Sequence, residues 1–177
     1  MPDIFVTSDT HFYHKNIIKY SAVRNCFTDE LHMNEVIIDI WNKQVKPNDI
    51  VYHLGDFAFT NAENATNLVK SLTGKICLVS GNHDHKLIKN SEFCAKLYNL
   101  EFGYHETKID KTNIVMCHYP IRSWNGMHYG SYHLHGHTHG TCQQPGRSLD
   151  VGIDNRTDFK LWTWDEIVDF MSNRFSK

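Results

Sequence analysis

At 177 residues the chain has the length of one domain, 1–177, and can bury roughly 70% of the surface it exposes when unfolded. Its formal charge of −2 leaves no basic footprint, which argues against extended nucleic-acid binding through backbone phosphates. The N-terminus has no charged segment followed by an apolar stretch, nor is any run long and apolar enough to span a bilayer, so no membrane partner is expected.

In chain order, Ile4-Phe5-Val6 is a short β-branched and aromatic run that stops at Ser8-Asp9. From Asp29 to about Lys46, apolar residues at Leu31, Val36, Ile37, Ile40, Trp41 and Val45 recur at helical spacing. Thr28 is the expected N-cap, and Pro47 stops the helix. Ile50-Val51-Tyr52 reads as a strand leading into Gly55-Asp56. A helix over Ala62–Leu72 follows, with Gly74 in its C-terminal turn. Ile76–Val79 is the third strand and runs into Gly81-Asn82. This alternation is the pattern of parallel βαβ units. The second half changes to short strands at Tyr104–Ile109, Thr112–Cys117, Ser131–His135 and Ser148–Ile153. A helix over Trp164–Arg174 closes the chain, opened by a capping box at Thr163-Trp164-Asp165-Glu166. Trp162 and Trp164 read as packing residues on one strand face.

Histidine is the compositional outlier, at 13 residues. The five cysteines are odd in number and lack CxxC spacing, and Cys77 and Cys117 lie inside apolar runs. That usage points to a reducing compartment, and the chain reads as cytoplasmic.

Polar clusters terminate the strands: Asp9-Thr10-His11, Gly55-Asp56, Gly81-Asn82-His83-Asp84, His118 and Gly136-His137-Thr138-His139. Asp9 and His11 are two apart, as are His137 and His139, so in extended backbone each pair would leave on one face. Ligands of α/β sheets gather beyond the carboxyl ends of the strands, where Asp9, Asp56 and Asn82 are expected. Carboxylate, amide and imidazole donors of this mix suit manganese, iron, zinc or nickel rather than calcium. A pair of divalent ions, offset by two aspartates and a hydroxide, leaves about one positive charge for an anionic phosphate ester. No Gly-rich loop carrying a Lys offers another phosphate cradle. Each cluster also has an ordinary reading as a turn or a packed histidine; their ordered combination is what carries the signal.

Together the clusters resemble the signature of the calcineurin-like metallophosphoesterase superfamily: D-x-H, G-D, G-N-H-D, an isolated His, and G-H-x-H. The flanks Phe5-Val6-Thr7-Ser8 and Tyr52-His53-Leu54 are similar to those of small, cap-less bacterial and phage members. The resemblance implies a four-layer α/β/β/α sandwich, with two mixed β-sheets flanked by helices. It further implies two divalent ions, Mn2+ favoured, with Asp9, His11 and His139 on one and Asn82, His118 and His137 on the other. Asp56 would bridge them, and His83 would be the general acid. From the residues themselves, His83 adjoins a ligand without being one, so it can reach a leaving oxygen and donate a proton. Asp84 would either orient His83 or cap a helix beginning there.

The expected substrate is a small phosphate ester, nucleotides included. Arg122 is a candidate phosphate fork, Trp124 a candidate stacking surface, and His14 and His85 lie close enough to the site loops to touch substrate. His53, His128, His133 and His135 are expected to be supporting or surface groups. A phosphodiesterase, acting by attack of a metal-bridging hydroxide, is favoured because no inserted cap is evident and a mono-anionic diester matches the site charge. Nucleotide diesters, 2′,3′-cyclic phosphates included, follow from the resemblance alone. The alternatives are a phosphomonoesterase or nucleoside-polyphosphate pyrophosphohydrolase of the same fold, and a catalytically silent scaffold. The sequence carries no signal for oligomeric state.

Overall fold

Parallel strands need crossover connections, and the first half of the chain supplies helices for them. Strands β1 (Ile4–Thr7), β2 (Ile50–His53), β3 (Lys75–Val79) and β4 (Asn99–Glu101) pair in parallel. The structure, a computed structural model, describes residues 1–142 and 144–174. The second sheet holds β5 (Tyr104–Ile109), β6 (Thr112–Cys117), β7 (Tyr132–His135) and β8 (Ser148–Asp150), antiparallel at β5/β6 and parallel thereafter. β9 (Trp162–Thr163) returns antiparallel to β1, giving the first sheet the order β4-β3-β2-β1-β9.

Helices flank these two mixed sheets. A first core lies under α2 (Glu30–Gln44) and α3 (Ala62–Ser71), where Met33, Ile37, Trp41, Ala65 and Leu68 meet Phe5, Val51, Ile76 and Leu78. A second core fills the space between the sheets, with Val6, Leu54 and Val79 facing Ile114, Met116 and Leu134. Trp164, Ile167 and Met171 of α5 (Trp164–Arg174) join it. The expected capping box forms: Thr163 N–H donates to Glu166, and Glu166 N–H donates back to the Thr163 hydroxyl.

Several local expectations need correction. The N-cap of α2 is Asp29, whose carboxylate accepts the His32 N–H at 2.8 Å; Thr28 contacts the His32 ring instead. The last strand of the second sheet stops at Asp150 and gives way to a 3-10 turn at Ile153–Asn155. Trp162 is on β9 while Trp164 starts α5, so they share the inter-sheet core rather than one strand face. Two elements carry too little pattern to be foreseen: α1 (Ile17–Tyr20) and the three-residue β4. Beyond Asp84 the chain forms a 3-10 helix, Asp84–Lys89, then α4 (Ser91–Cys94) capped by Asn90.

The parallel register places the ends of β1, β2 and β3 at one rim, and β6 and β7 end at the same rim from the second sheet. Backbone bonds stitch the strand ends together, Asp9 N–H to Gly55 O and Gly136 N–H to His118 O, and a bridge between Ser8 and Gly152 ties one sheet to the other.

His133 is buried on β7, where its Nε2 accepts the Ile121 N–H. Burial pushes its pKa down to about 4. The unfolded imidazole titrates near ~6.5, so acidification from there toward pH 4 loads protons on the unfolded chain that the folded one refuses. Stability attributable to this residue is intact above pH 6.5 and falls below it, by about 2 kcal/mol at pH 5. Urea unfolding should therefore show wild type losing that much more than His133→Asn between pH 7 and pH 5. Equal losses would mean that His133 already protonates in the folded state.

Candidate metal centre

Five residues of the rim adopt left-handed backbone: Asp9 (φ 55°), His11 (49°), Asp56 (56°), His137 (70°) and His139 (47°). For non-glycine residues this conformation is costly and concentrates where a site over-determines it. The geometry corrects the extended-backbone expectation: left-handed turns bring Asp9 and His11 into one donor group, while His137 and His139, also left-handed, are split between two. Gly136 makes the crossing possible, since a Cβ there would overlap Ser8 and Asp9. Gly55 is likewise backed against the Gly81 backbone, and Gly81 against Asp56 and His118, too close for a side chain on either.

Asp9, His11 and His139 form one group of converging donors. Asp9 Oδ1 is 3.9 Å from both His11 Nε2 and His139 Nε2, and the two imidazoles stack with centroids 5.2 Å apart. The Asp9 carboxylate accepts the Ser8 hydroxyl at 2.5 Å and the His137 N–H at 3.0 Å. Burial still raises its pKa to about 6, against the pull of His118 and His139.

Asp56, His118 and His137 form a second group. His118 Nδ1 donates to the Leu54 carbonyl at 2.8 Å, which turns Nε2 toward Asn82 Oδ1 at 3.0 Å and Asp56 Oδ2 at 3.4 Å. His137 presents its Nδ1 3.3 Å from the same His118 nitrogen. Asp56 Oδ1 accepts the His83 N–H, leaving Oδ2 shared between the groups, 3.8 Å from His11 Nε2 and 3.4 Å from His118 Nε2. Burial alone would raise the Asp56 pKa, but the hydrogen bond and charge of His118 hold it well below the usual carboxylate range.

The residues fit a pair of cations. Both ring nitrogens of buried His11 lack a hydrogen-bond partner, and burial lowers its pKa to about 2, so it stands as a neutral donor facing two carboxylates. An orphaned buried imidazole costs stability unless a ligand satisfies it.

The other expected residues are distributed less simply. His83 is on the solvent side, its Nε2 3.9 Å from Asp56 Oδ2 and its ring 4.5 Å from Phe59. Asp84 does not orient it: the buried carboxylate accepts the N–H groups of Asp56, Phe57 and Gly81, all between 2.8 and 2.9 Å. Asp84 thus clamps the Gly55-Asp56 loop to the Gly81 turn, and neither expected role for it stands. His14 is at the rim, stacked on Phe59 at 3.9 Å and 5.4 Å from the His11 ring. His85 is exposed, with Nδ1 turned to the Asn82 carbonyl. Arg122 is exposed on the loop that leaves His118. Trp124 is corrected: it is buried, with its indole N–H on Ser131 and its ring against His133, so no stacking face is open. Two exposed rings that sequence reasoning passed over border the site instead, Phe59 beside His83 and Tyr119 4.7 Å from His137. Their positions in the loops after Asp56 and His118 were the available signal. His53 and His135 are buried supports, bonded to Thr10 and the Gly136 carbonyl.

The chain belongs to the calcineurin-like phosphoesterase superfamily, whose domain model matches residues 3–149. It is 34% identical to the uncharacterized protein MJ1445 of Methanocaldococcus jannaschii over 142 residues, 78% of this chain and 70% of that one. It is 27% identical to the gene 66 protein of Mycobacterium phage D29, spanning 98% of each. The crystal structure of AQ665, a protein of unknown function from Aquifex aeolicus, superimposes with a TM-score of 0.73 at 25% identity, covering 96% of this chain and all of that one.

Proposed function

We propose that the protein is a dinuclear metal-dependent phosphodiesterase acting on a small nucleotide-type diester. The observation that carries this reading is Asp56 Oδ2, which faces both donor groups at once. Asp9, His11 and His139 would hold one ion, Asn82, His118 and His137 the other, and Asp56 both. Manganese is the favoured pair, with iron, zinc or nickel compatible with the same donors. Such ions would supply charge to clamp the phosphoryl oxygens and a water acidic enough to attack phosphorus at neutral pH.

The chain's own part is placement and proton transfer. His83 is half-exposed above Asp56 and held by its backbone N–H, so its ring is free to give a proton to the departing oxygen. Asn82, His83 and His137 are exposed, leaving room for a second ester arm. Phe59 and Tyr119 offer π-faces to a base or aryl ring, and Arg122 is a candidate fork for a phosphate oxygen. A reducing, cytoplasmic setting suits the five free cysteines, and no described helix is long and apolar enough to cross a membrane.

The test is hydrolysis of bis-p-nitrophenyl phosphate against p-nitrophenyl phosphate by metal-stripped protein resupplied with manganese. Metal-dependent turnover that favours the diester is expected, and Phe59→Ala should raise KM for it about fivefold, since a ring contact contributes on the order of 1 kcal/mol. Monoester preference would instead point to a phosphomonoesterase. Two bound ions with no turnover on either ester would favour a scaffold.

A further inference from the structure

A buried arginine stands behind the first donor group. Arg24, in a 3-10 turn at Ala22–Cys26, is fully buried. Its Nε donates to Asp154 Oδ1 at 2.5 Å, Nη2 to the Asp9 carbonyl at 2.5 Å and Nη1 to the Thr10 carbonyl at 2.9 Å. The other oxygen of Asp154 is 2.5 Å from His139 Nδ1. A buried ion pair is weak evidence for stability, because desolvation offsets most of its attraction. What this pair contributes is position, since one guanidinium holds the carbonyls of the left-handed Asp9 turn while its partner carboxylate fixes the ring of His139.

We infer that Arg24 and Asp154 are positioning residues for the Asp9–His11–His139 group, and that they serve this group and not the other. In the second group the equivalent hold on His118 comes from the Leu54 carbonyl, with no contribution from Arg24 or Asp154. Fixing Nδ1 of His139 by a carboxylate presents Nε2 toward Asp9 and strengthens it as a donor. The inference rests on the dinuclear reading proposed above.

The experiment is a Mn2+ titration of metal-stripped protein followed by electron paramagnetic resonance, on wild type, Asp154→Asn and the double variant Arg24→Met/Asp154→Leu. The double variant removes both charges and so avoids stranding one in the core. Circular dichroism checks that each variant is folded. Wild type should take up two ions per chain. Asp154→Asn should weaken one of the two by roughly 10–100-fold and leave the other unchanged, and the double variant should retain one. A folded double variant with two ions at wild-type affinity would overturn the inference; should it not fold, unchanged affinities in Asp154→Asn do the same. Wild type binding a single ion would instead defeat the dinuclear reading, and the pair is then judged by whether Asp154→Asn weakens that ion.

Discussion

Asp56→Ala should abolish stoichiometric binding of both metal ions and, with it, turnover by on the order of 10³-fold or more, the loss of several kcal/mol of charge stabilisation. The expectation follows from where the carboxylate points. Oδ2 is within 4 Å of one imidazole nitrogen from each donor group, while Oδ1 holds the backbone of His83. Removing it strips the charge common to the two groups and frees the turn that carries Asn82 and His83. Metal analysis after dialysis against manganese reads the first effect, and diester hydrolysis reads the second. Asp56→Asn separates them further, because an amide oxygen can still accept the His83 N–H. An Asp56→Ala protein that kept two ions would show that this carboxylate does not bridge.

His83→Ala is the counterpart, with metal retained and chemistry lost. The hydrogen bond of His83 to the centre is made by its backbone N–H, which alanine keeps, so two ions should still bind. Loss of a positioned general acid costs roughly 10²–10⁴ in rate when the leaving group needs a proton. The drop should therefore be large on an alkyl or nucleoside diester and small on a p-nitrophenyl ester, whose anion departs unaided. Comparing kcat on the two substrates measures the difference. Full activity on the poor leaving group would remove His83 from the proton-transfer role.

Much of the fold was readable because its signals are local. Helical spacing of Val36, Ile37, Ile40 and Trp41, the Thr163–Glu166 box and the apolar runs before each polar cluster each report on a few neighbouring residues. The elements that were missed lack such a signal. β4 has three residues and is a strand only because β3 lies beside it. Asp29 outcompeted Thr28 as a cap by one position, a choice set by how the chain enters α2.

The donor residues themselves were legible as types in order: carboxylates, an amide and imidazoles at strand ends, each requiring nothing but its own turn. How they converge was not, because left-handed backbone at Asp9, His11, Asp56, His137 and His139 is imposed by bonds between distant strands. The same distinction separates the supporting residues. Asp84 looked like a partner of its neighbour His83 and instead clamps two loops, while Trp124 looked like a ring for substrate and fills the core. Arg24 and Asp154, 130 positions apart, carry no motif at all. Sequence alone determined which chemistry this chain can attempt, since donor identity is a property of single residues. Tertiary structure decided which donors converge, which rings face solvent and which buried charges stand behind the site, since those depend on contacts that only folding creates.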